Sequence, residues 1–161
     1  MVKIFIDGGS RGNPGKSAIG YVIFDEKDNE LFRFGKEVGN QTNNFAEYSA
    51  LLEVLEYLSD NNKIYKRKDQ IVIYSDSWLV VNQVNGLYKV RSTNIIPLFQ
   101  KIQRLLLIMR NISIKHIERE NNKTADWIVN RVLDGKRYRP VDRSRKKILI
   151  KGLSSEESPG S

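Results

Sequence analysis

The chain contains no cysteine and a single histidine, His116, among its 161 residues. Disulfide bridges and thiolate metal sites are therefore excluded, and one imidazole cannot build a zinc site by itself. Any metal ion bound by this chain must be held mainly by oxygen ligands, which is the preference of hard divalent cations.

Long apolar runs are also absent. No window approaches the roughly 18 continuous apolar residues of a membrane span, and the first residues, MVKIFIDGG, lack the apolar stretch of a signal peptide. We therefore expect a soluble, cytoplasmic protein with no membrane partner. Separately, we expect a monomer. With 161 residues, 40% of them apolar, the chain can bury one hydrophobic core, so a single domain is the default.

The charge is strongly positive and unevenly distributed. A formal net charge of +8 favours polyanionic partners such as nucleic acid. From Asp134 onward, 8 basic residues against 4 acidic ones give +4, which is half of the total excess. This predicts a domain over residues 1–134 and a basic extension over 135–161, partly disordered at its end. The extension could grip a polyanion or could simply be solvated.

The stretch DGGSRGNPGKSA, residues 7–18, differs from a phosphate-binding P-loop at Ser10, where that motif has glycine. The lysine and hydroxyl of a P-loop open a helix, but the residues after Lys16 and Ser17 have the pattern of a strand. We interpret the stretch as a strand that ends at Asp7, followed by a glycine-rich turn. Such a turn lets a backbone approach a ligand closely, or it is simply a loose hairpin loop.

Periodicity and breaker residues predict the remaining elements. The expected strands are VKIFID, the two arms of AIGYVIFDEKDNELFRFGKEV, QIVIYSDS and NISIKHIER; the expected helices are TNNFAEYSALLEVLEYLSDN, WLVVNQVNG, IIPLFQKIQRLLLIMR and NNKTADWIVNRVL. Three strands followed by alternating helices and strands predict an α/β fold. The sheet should be five-stranded and mixed, with its first three strands antiparallel and helices flanking it.

Four carboxylates occupy comparable places in this pattern. Asp7 and Asp76 follow apolar strands, and Glu47 and Asp126 lie near the starts of two helices. Ligands of α/β sheets collect beyond the carboxyl ends of strands, and four converging carboxylates cannot all be charged without cations. Two Mg²⁺ ions about 4 Å apart would suit phosphoryl transfer. Each acid could instead be a solvated charge, and Glu47 a helix-dipole partner.

Four blocks of the chain resemble the successive signatures of type 1 ribonuclease H, in that family's order and spacing. They are IFIDGGSRGNPGKSAIGYVIF, QTNNFAEYSALLEVLEYL, IYSDS and RENNKTAD, and together they span about residues 2–133. The pattern is most similar to archaeal and other compact prokaryotic members. The resemblance implies a ribonuclease-H-like fold and endonucleolytic hydrolysis of the RNA strand of RNA/DNA hybrids. It further implies two Mg²⁺ or Mn²⁺ ions, a metal-activated water, and products with 5′-phosphate and 3′-hydroxyl ends.

The resemblance also assigns roles to residues. It implies that the metal-binding catalytic carboxylates are Asp7, Glu47, Asp76 and Asp126. It implies RNA-strand contacts at Gly8, Gly9, Ser10, Gly12, Asn13, Asn43 and Asn44, and a DNA-strand phosphate at Thr42 and Asn94. Glu47 would also sense a ribose 2′-hydroxyl, the group by which a protein distinguishes RNA from DNA.

The sequence departs from the family pattern in a few places. Phe24 and Trp78 stand where some bacterial members have an arginine and a glutamine of the substrate site, and residues 86–93 are too short for the basic handle of some relatives. His116 lies ten positions before Asp126, like the mobile histidine of bacterial members, but within a predicted strand. It could be catalytic, or a packed or surface imidazole, because a general acid or base must reach the reacting oxygens.

Two other functions stay open at the sequence level. One is a non-catalytic module on the same fold that binds hybrid or double-stranded RNA, which the presence of all four carboxylates disfavours. The other is a metal nuclease that acts on DNA or double-stranded RNA, and the loop expected to sense the 2′-hydroxyl disfavours a pure DNase. In the extension, ILI at 148–150 could add an edge strand to the sheet.

Overall fold

The computed structural model describes residues 1–62, 65 and 69–138. Its elements are, in chain order, β1 (Val2–Gly12), β2 (Gly15–Phe24), β3 (Glu30–Gln41), α1 (Asn43–Asp60), β4 (Ile71–Ser75), α2 (Trp78–Val84), α3 (Ile96–Met109), β5 (Ile112–His116), a short 3₁₀ turn (Arg119–Asn121) and α4 (Lys123–Leu133). Within the described ranges, none of the helices combines the length and the apolar character that a membrane crossing requires.

The five strands form one mixed sheet in the order β3-β2-β1-β4-β5. Strands β1, β2 and β3 pair antiparallel, whereas β4 runs parallel to β1 and β5 runs parallel to β4. The predicted fold class is therefore confirmed. Because Ile6 lies opposite Ser75 in the last residue pair of the two parallel strands, the residues that follow them, Asp7 and Asp76, lie next to each other where the pairing of β1 with β4 ends.

The glycine-rich stretch is a strand hairpin, and one part of the sequence interpretation was wrong. Strand β1 does not end at Asp7 but continues to Gly12, which pairs with Gly15 across a turn formed by residues 13–14. Glycine lowers the strand propensity of a sequence, but here pairing with β2 satisfies the backbone groups. After Lys16 and Ser17 the chain stays in β2, so the rejection of a P-loop is confirmed.

Helix α1 is the clearest match to prediction. The Thr42 hydroxyl caps it by accepting a hydrogen bond from the Phe45 amide at 3.2 Å. Glu47, however, is its fifth residue, and the first turn contains no acidic side chain. The helix-dipole interpretation of Glu47 was therefore wrong, since the dipole interaction falls off within the first turn.

Helices cover both faces of the sheet. On one face α1 packs its buried leucines on the isoleucines of β1 and β2, including Ile4, Ile6 and Ile19. On the other face α4 packs Val129 on Ala18 of β2. Helix α4 can approach this closely because β3 has a glycine there: a Cβ atom on Gly35 would lie 2.6 Å from Cγ2 of Ile128.

The rest of the fold follows the sequence pattern, with shifted ends. Helix α2 ends at Val84, and Gly86 just beyond it has a left-handed φ of +82°. The predicted strand at 148–150 lies outside the described residues, as does most of the predicted extension. The domain boundary at residue 134 therefore stays a prediction.

Two adjacent glycines of β1 meet very different surroundings. A Cβ atom on Gly8 would lie 2.3 Å from the carbonyl carbon and oxygen of Ala46, which are backbone atoms of α1. A Cβ atom on Gly9 would meet only Cγ1 of Val129, at 3.4 Å. The absence of a side chain at Gly8 is therefore what allows α1 to lie directly on β1.

We expect Gly8→Ala to destabilise the protein and Gly9→Ala to be tolerated. The new methyl group at residue 8 can be accommodated only by moving the helix backbone, and such overpacking costs about 1–3 kcal/mol or more. At residue 9 only a side-chain terminus has to adjust. Urea unfolding of both variants tests this, and equal losses of stability would contradict the packing explanation.

Candidate active site

A groove runs along β1 between the start of α1 and one side of α4, and we call it the active-site groove. Its volume is about 370 Å³. Its floor is the glycine-rich end of β1, and it is lined by Asp7, Gly8, Gly9, Ser10, Arg11, Asn43, Glu47, Arg119, Asp126, Val129, Asn130 and Leu133. Three of the four predicted carboxylates therefore face one space.

The carboxylates lie close enough to perturb one another. Burial raises the pKa of Asp7 well above its ordinary value of 3.8, and the charges of Asp76, Asp126 and Glu47 raise it further. The Gly8 amide donates a hydrogen bond to Asp7, which opposes that rise. Because the other three acids all act on Asp7, the structure brings the whole predicted quartet together around this residue.

Glu47 lies on the half-buried margin of α1 and carries a similar perturbation. Burial raises its pKa from 4.5 to about 7, and the charge of Asp76 adds to the rise. A hydrogen bond with Ser77 and the charge of Arg119 act in the opposite direction, but they do not cancel the effect of burial. Without a cation, Glu47 is therefore protonated in part of the population at neutral pH.

Asp76 is held in place by a residue that the sequence reasoning missed. The side-chain amide of Asn122 donates to Oδ2 of Asp76 at 3.2 Å and to the carbonyl of Ile6 at 2.8 Å. The Asn122 carbonyl also accepts from the amide of Asp126 at 3.2 Å, at the start of α4. Its position at the start of a predicted helix, where asparagine is a favoured cap, was the available signal.

The site supplies the kind of atoms that a hard divalent cation binds. Its four carboxylates offer oxygen atoms as ligands. The pKa values of Asp7 and Glu47 are raised by burial and further by neighbouring negative charge, both of which a cation would offset. Over the ranges 1–62, 65 and 69–138, however, no group of three or more acidic or imidazole side chains is already arranged to hold one ion. The chemistry of the donors thus fits Mg²⁺ or Mn²⁺, and coordination would require the carboxylates to turn toward a common point.

His116 lies near the carboxylates but does not line the groove. It is the last residue of β5 and lies opposite Ser75, the residue before Asp76. Its ring meets that of Trp78 edge to face, with the ring centroids 5.1 Å apart. The predicted position within a strand is confirmed, while a catalytic role for His116 stays a prediction.

The hairpin of β1 and β2 is tied to the start of α1 by two polar contacts. The Ser10 amide donates to Oδ1 of Asn43 at 2.9 Å, and the Asn43 amide donates to Oδ1 of Asn13 at 3.0 Å. Of the residues predicted to contact the RNA strand, Gly8, Gly9, Ser10 and Asn43 line the groove. Asn13 supports that surface through Asn43.

The other predicted substrate contacts lie around the groove. Oδ1 of Asn44 is buried and has no hydrogen-bond partner within the described part of the chain. Thr42 caps α1, Gly12 ends β1, and Asn94 is exposed in the turn before α3, where it accepts a hydrogen bond from Ser92. Their roles in binding substrate remain predictions.

Two basic residues of the groove wall were also missed. Arg119 acts on Glu47 electrostatically, and Arg11 lies on the same face of β1 as Asp7 and Gly9. For Arg11 the signal was the alternation of side chains along a strand, which places residues 7, 9 and 11 together once β1 is extended to Gly12. For Arg119 it was a cation seven residues before a predicted metal ligand.

A mixed sheet in this strand order, with helices on both faces and carboxylates where the parallel pairing of β1 and β4 ends, is the arrangement of the ribonuclease-H-like class. A family model described as reverse transcriptase-like matches residues 5–132. The chain belongs to the ribonuclease H family, and the resemblance to its type 1 members is confirmed.

Individual relatives agree with this assignment. Ribonuclease HI of Halobacterium salinarum is 34% identical over 133 residues, which cover 83% of this chain and 64% of that protein. A bifunctional protein of Mycobacterium tuberculosis is 32% identical over 134 residues, and this chain spans only 35% of its length. Among solved structures, the chain is similar to the crystal structure of LC11-RNase H1 in complex with RNA/DNA hybrid, with 38% sequence identity and a TM-score of 0.77. The superposition covers 84% of this chain and 98% of that one.

The raised pKa of Glu47 predicts a pH-dependent stability of the metal-free protein. The folded state binds the Glu47 proton more tightly than the unfolded state. The stabilisation that this proton gives the folded state is therefore fully present below about pH 4.5 and is lost as pH rises to about 7. Asp7 acts in the same direction. The loss of stability from Glu47 is about 3 kcal/mol, at about 1.4 kcal/mol per pKa unit.

Unfolding in EDTA between pH 4.5 and 8 measures this effect. The Glu47→Gln variant should lose less stability than the parent protein as pH rises, and at pH 8 it should be the more stable of the two. Parallel stability profiles for the two proteins would show that Glu47 ionises normally.

Proposed function

We propose that this chain hydrolyses the RNA strand of RNA/DNA hybrids as a divalent-metal-dependent endoribonuclease. The observation that carries the proposal is the convergence of Glu47, Asp76 and Asp126 on the buried Asp7, within a groove whose floor bears no side chains at Gly8 and Gly9. Membership of the ribonuclease H family supports it, as does the complex of LC11-RNase H1 with RNA/DNA hybrid.

Asp7, Glu47, Asp76 and Asp126 would hold two Mg²⁺ or Mn²⁺ ions. When bound, such ions would stabilise the attacking and leaving oxygens of a phosphodiester. Hydrolysis would then give products with 5′-phosphate and 3′-hydroxyl ends. The chain's own part is to present four carboxylates at fixed positions. A cation would favour the ionised form of Asp7, because it would offset both the burial and the repulsion from the other acids that raise the pKa of this carboxyl.

Recognition of the RNA strand would come from the polar groups beside the carboxylates. Ser10 and Asn43 line the groove and are fixed to each other by a hydrogen bond of 2.9 Å. Ribose 2′-hydroxyls both donate and accept hydrogen bonds, so preorganised amide and hydroxyl groups suit them. The open floor at Gly9 leaves room for the sugar-phosphate backbone between α1 and α4.

The direct test is cleavage of four end-labelled substrates of one sequence: RNA/DNA hybrid, double-stranded RNA, single-stranded RNA and double-stranded DNA. Each is incubated with Mg²⁺, Mn²⁺ or EDTA. We expect metal-dependent cutting confined mainly to the RNA of the hybrid. Hybrid binding without cleavage would instead identify a binding module, and preferential cutting of DNA or double-stranded RNA would identify a different nuclease.

We expect Asp7→Asn and Asp76→Asn to reduce cleavage of the hybrid about 1,000-fold or more, because each removes a charged metal ligand at the reacting centre. Both variants should remain folded. Asp60→Asn is the matched control, since Asp60 is exposed at the far end of α1. Cleavage rates and circular dichroism are compared for all three, and substantial residual activity in either site variant would refute the assigned roles.

A further inference from the structure

Arg11 stands at the opposite end of the active-site groove from the carboxylates. Alternate residues of a strand share a face, so Asp7, Gly9 and Arg11 form one row along β1. Four strand residues span roughly 13 Å. The groove is therefore acidic at one end and carries a guanidinium at the other, and a nucleic acid strand lying in it would pass both.

The partner of Arg11 is an acidic residue from the end of α4. Nη1 of Arg11 lies 2.5 Å from Oδ1 of Asp134, and the two side chains are 47% and 39% exposed. An ion pair this open to solvent contributes only about 0–1 kcal/mol to stability. A second anion can therefore displace the Asp134 carboxylate from Arg11 at little cost.

The end of α4 does not depend on this ion pair. Lys16, which lies opposite Arg11 in the hairpin, donates to the carbonyl of Leu133 at 3.2 Å and pairs with Glu37 at 3.1 Å. The Asp134 amide also donates to the carbonyl of Asn130 at 2.9 Å. Backbone contacts thus hold this turn, and the Asp134 side chain is free to exchange partners.

We propose that the Arg11 guanidinium binds a backbone phosphate of the nucleic acid, a few nucleotides from the bond that is cut, and that Asp134 occupies it until substrate arrives. Guanidinium groups match phosphate oxygens bidentately, which makes arginine suited to this role. The inference rests on the proposed function, since it requires a nucleic acid strand in the groove. It adds a phosphate site together with a resident competitor for that site.

Binding of a fluorescently labelled RNA/DNA hybrid, measured by anisotropy in EDTA at several KCl concentrations, tests the proposal without cleavage. Arg11→Gln should weaken binding about 5- to 10-fold at low salt and reduce the salt slope by about 1. Asp134→Asn should tighten binding about 2- to 5-fold, because the phosphate then has no competitor. In the double variant the gain from Asp134→Asn should disappear.

Glu26→Gln controls for net charge, because it removes one negative charge from an exposed side chain that pairs with the N-terminus. If Asp134→Asn tightens binding no more than this control, or if Arg11→Gln binds with an unchanged salt slope, the proposal is overturned. A parent protein that cleaves no hybrid with Mg²⁺ or Mn²⁺ would overturn the proposed function, whereas a parent that cleaves hybrid while the two variants behave like the control would overturn only the role of Arg11. Urea unfolding of each variant verifies that it is folded.

Discussion

The contact between Gly8 and the backbone of α1 places two of the candidate site carboxylates, Asp7 and Glu47, beside each other. Because residue 8 has no side chain, the helix backbone at Ala46 occupies the space where a Cβ would be. The next helical residue is Glu47, and the preceding strand residue is Asp7. One backbone contact therefore brings two carboxylates from elements about 40 residues apart in sequence to the same groove.

That contact has an electrostatic consequence. Burial raises the pKa of both Asp7 and Glu47; the charges of Asp76, Asp126 and Glu47 raise that of Asp7 further, and the charge of Asp76 raises that of Glu47. Folding alone gains nothing from such an arrangement, since buried like charges destabilise a protein. A fold that nevertheless brings them together suits a ligand of opposite charge. The burial that destabilises the carboxylates in the absence of a ligand is thus the property that favours binding of a cation.

Most of the secondary structure and the four candidate carboxylates could be predicted from the sequence, because the patterns that indicate them are local. The apolar stripe of α1, the strand ending before Asp76 and the start of α4 before Asp126 all depend on residues close together in the chain. The length of β1 was not accessible, because its glycines are held extended by pairing with β2, a partner that propensity does not reveal. The roles of Arg11 and Asn122 depend on contacts across elements, so their side chains became informative only once the sheet was built.

Asn122 shows how a repulsive site can be held without a cation. Asn122 is only 1% exposed, and its side-chain amide donates to the Ile6 carbonyl of β1 and to Asp76 beyond β4. Its backbone carbonyl accepts from the Asp126 amide in the first turn of α4. Asn122 is itself uncharged, so these hydrogen bonds hold the acidic residues in place without adding another negative charge to the site. They link the three elements that supply Asp7, Asp76 and Asp126, and Gly8 links the fourth. The positions of the carboxylates are therefore set by packing and amide bonding, and under the proposed function a cation would only have to turn their side chains inward.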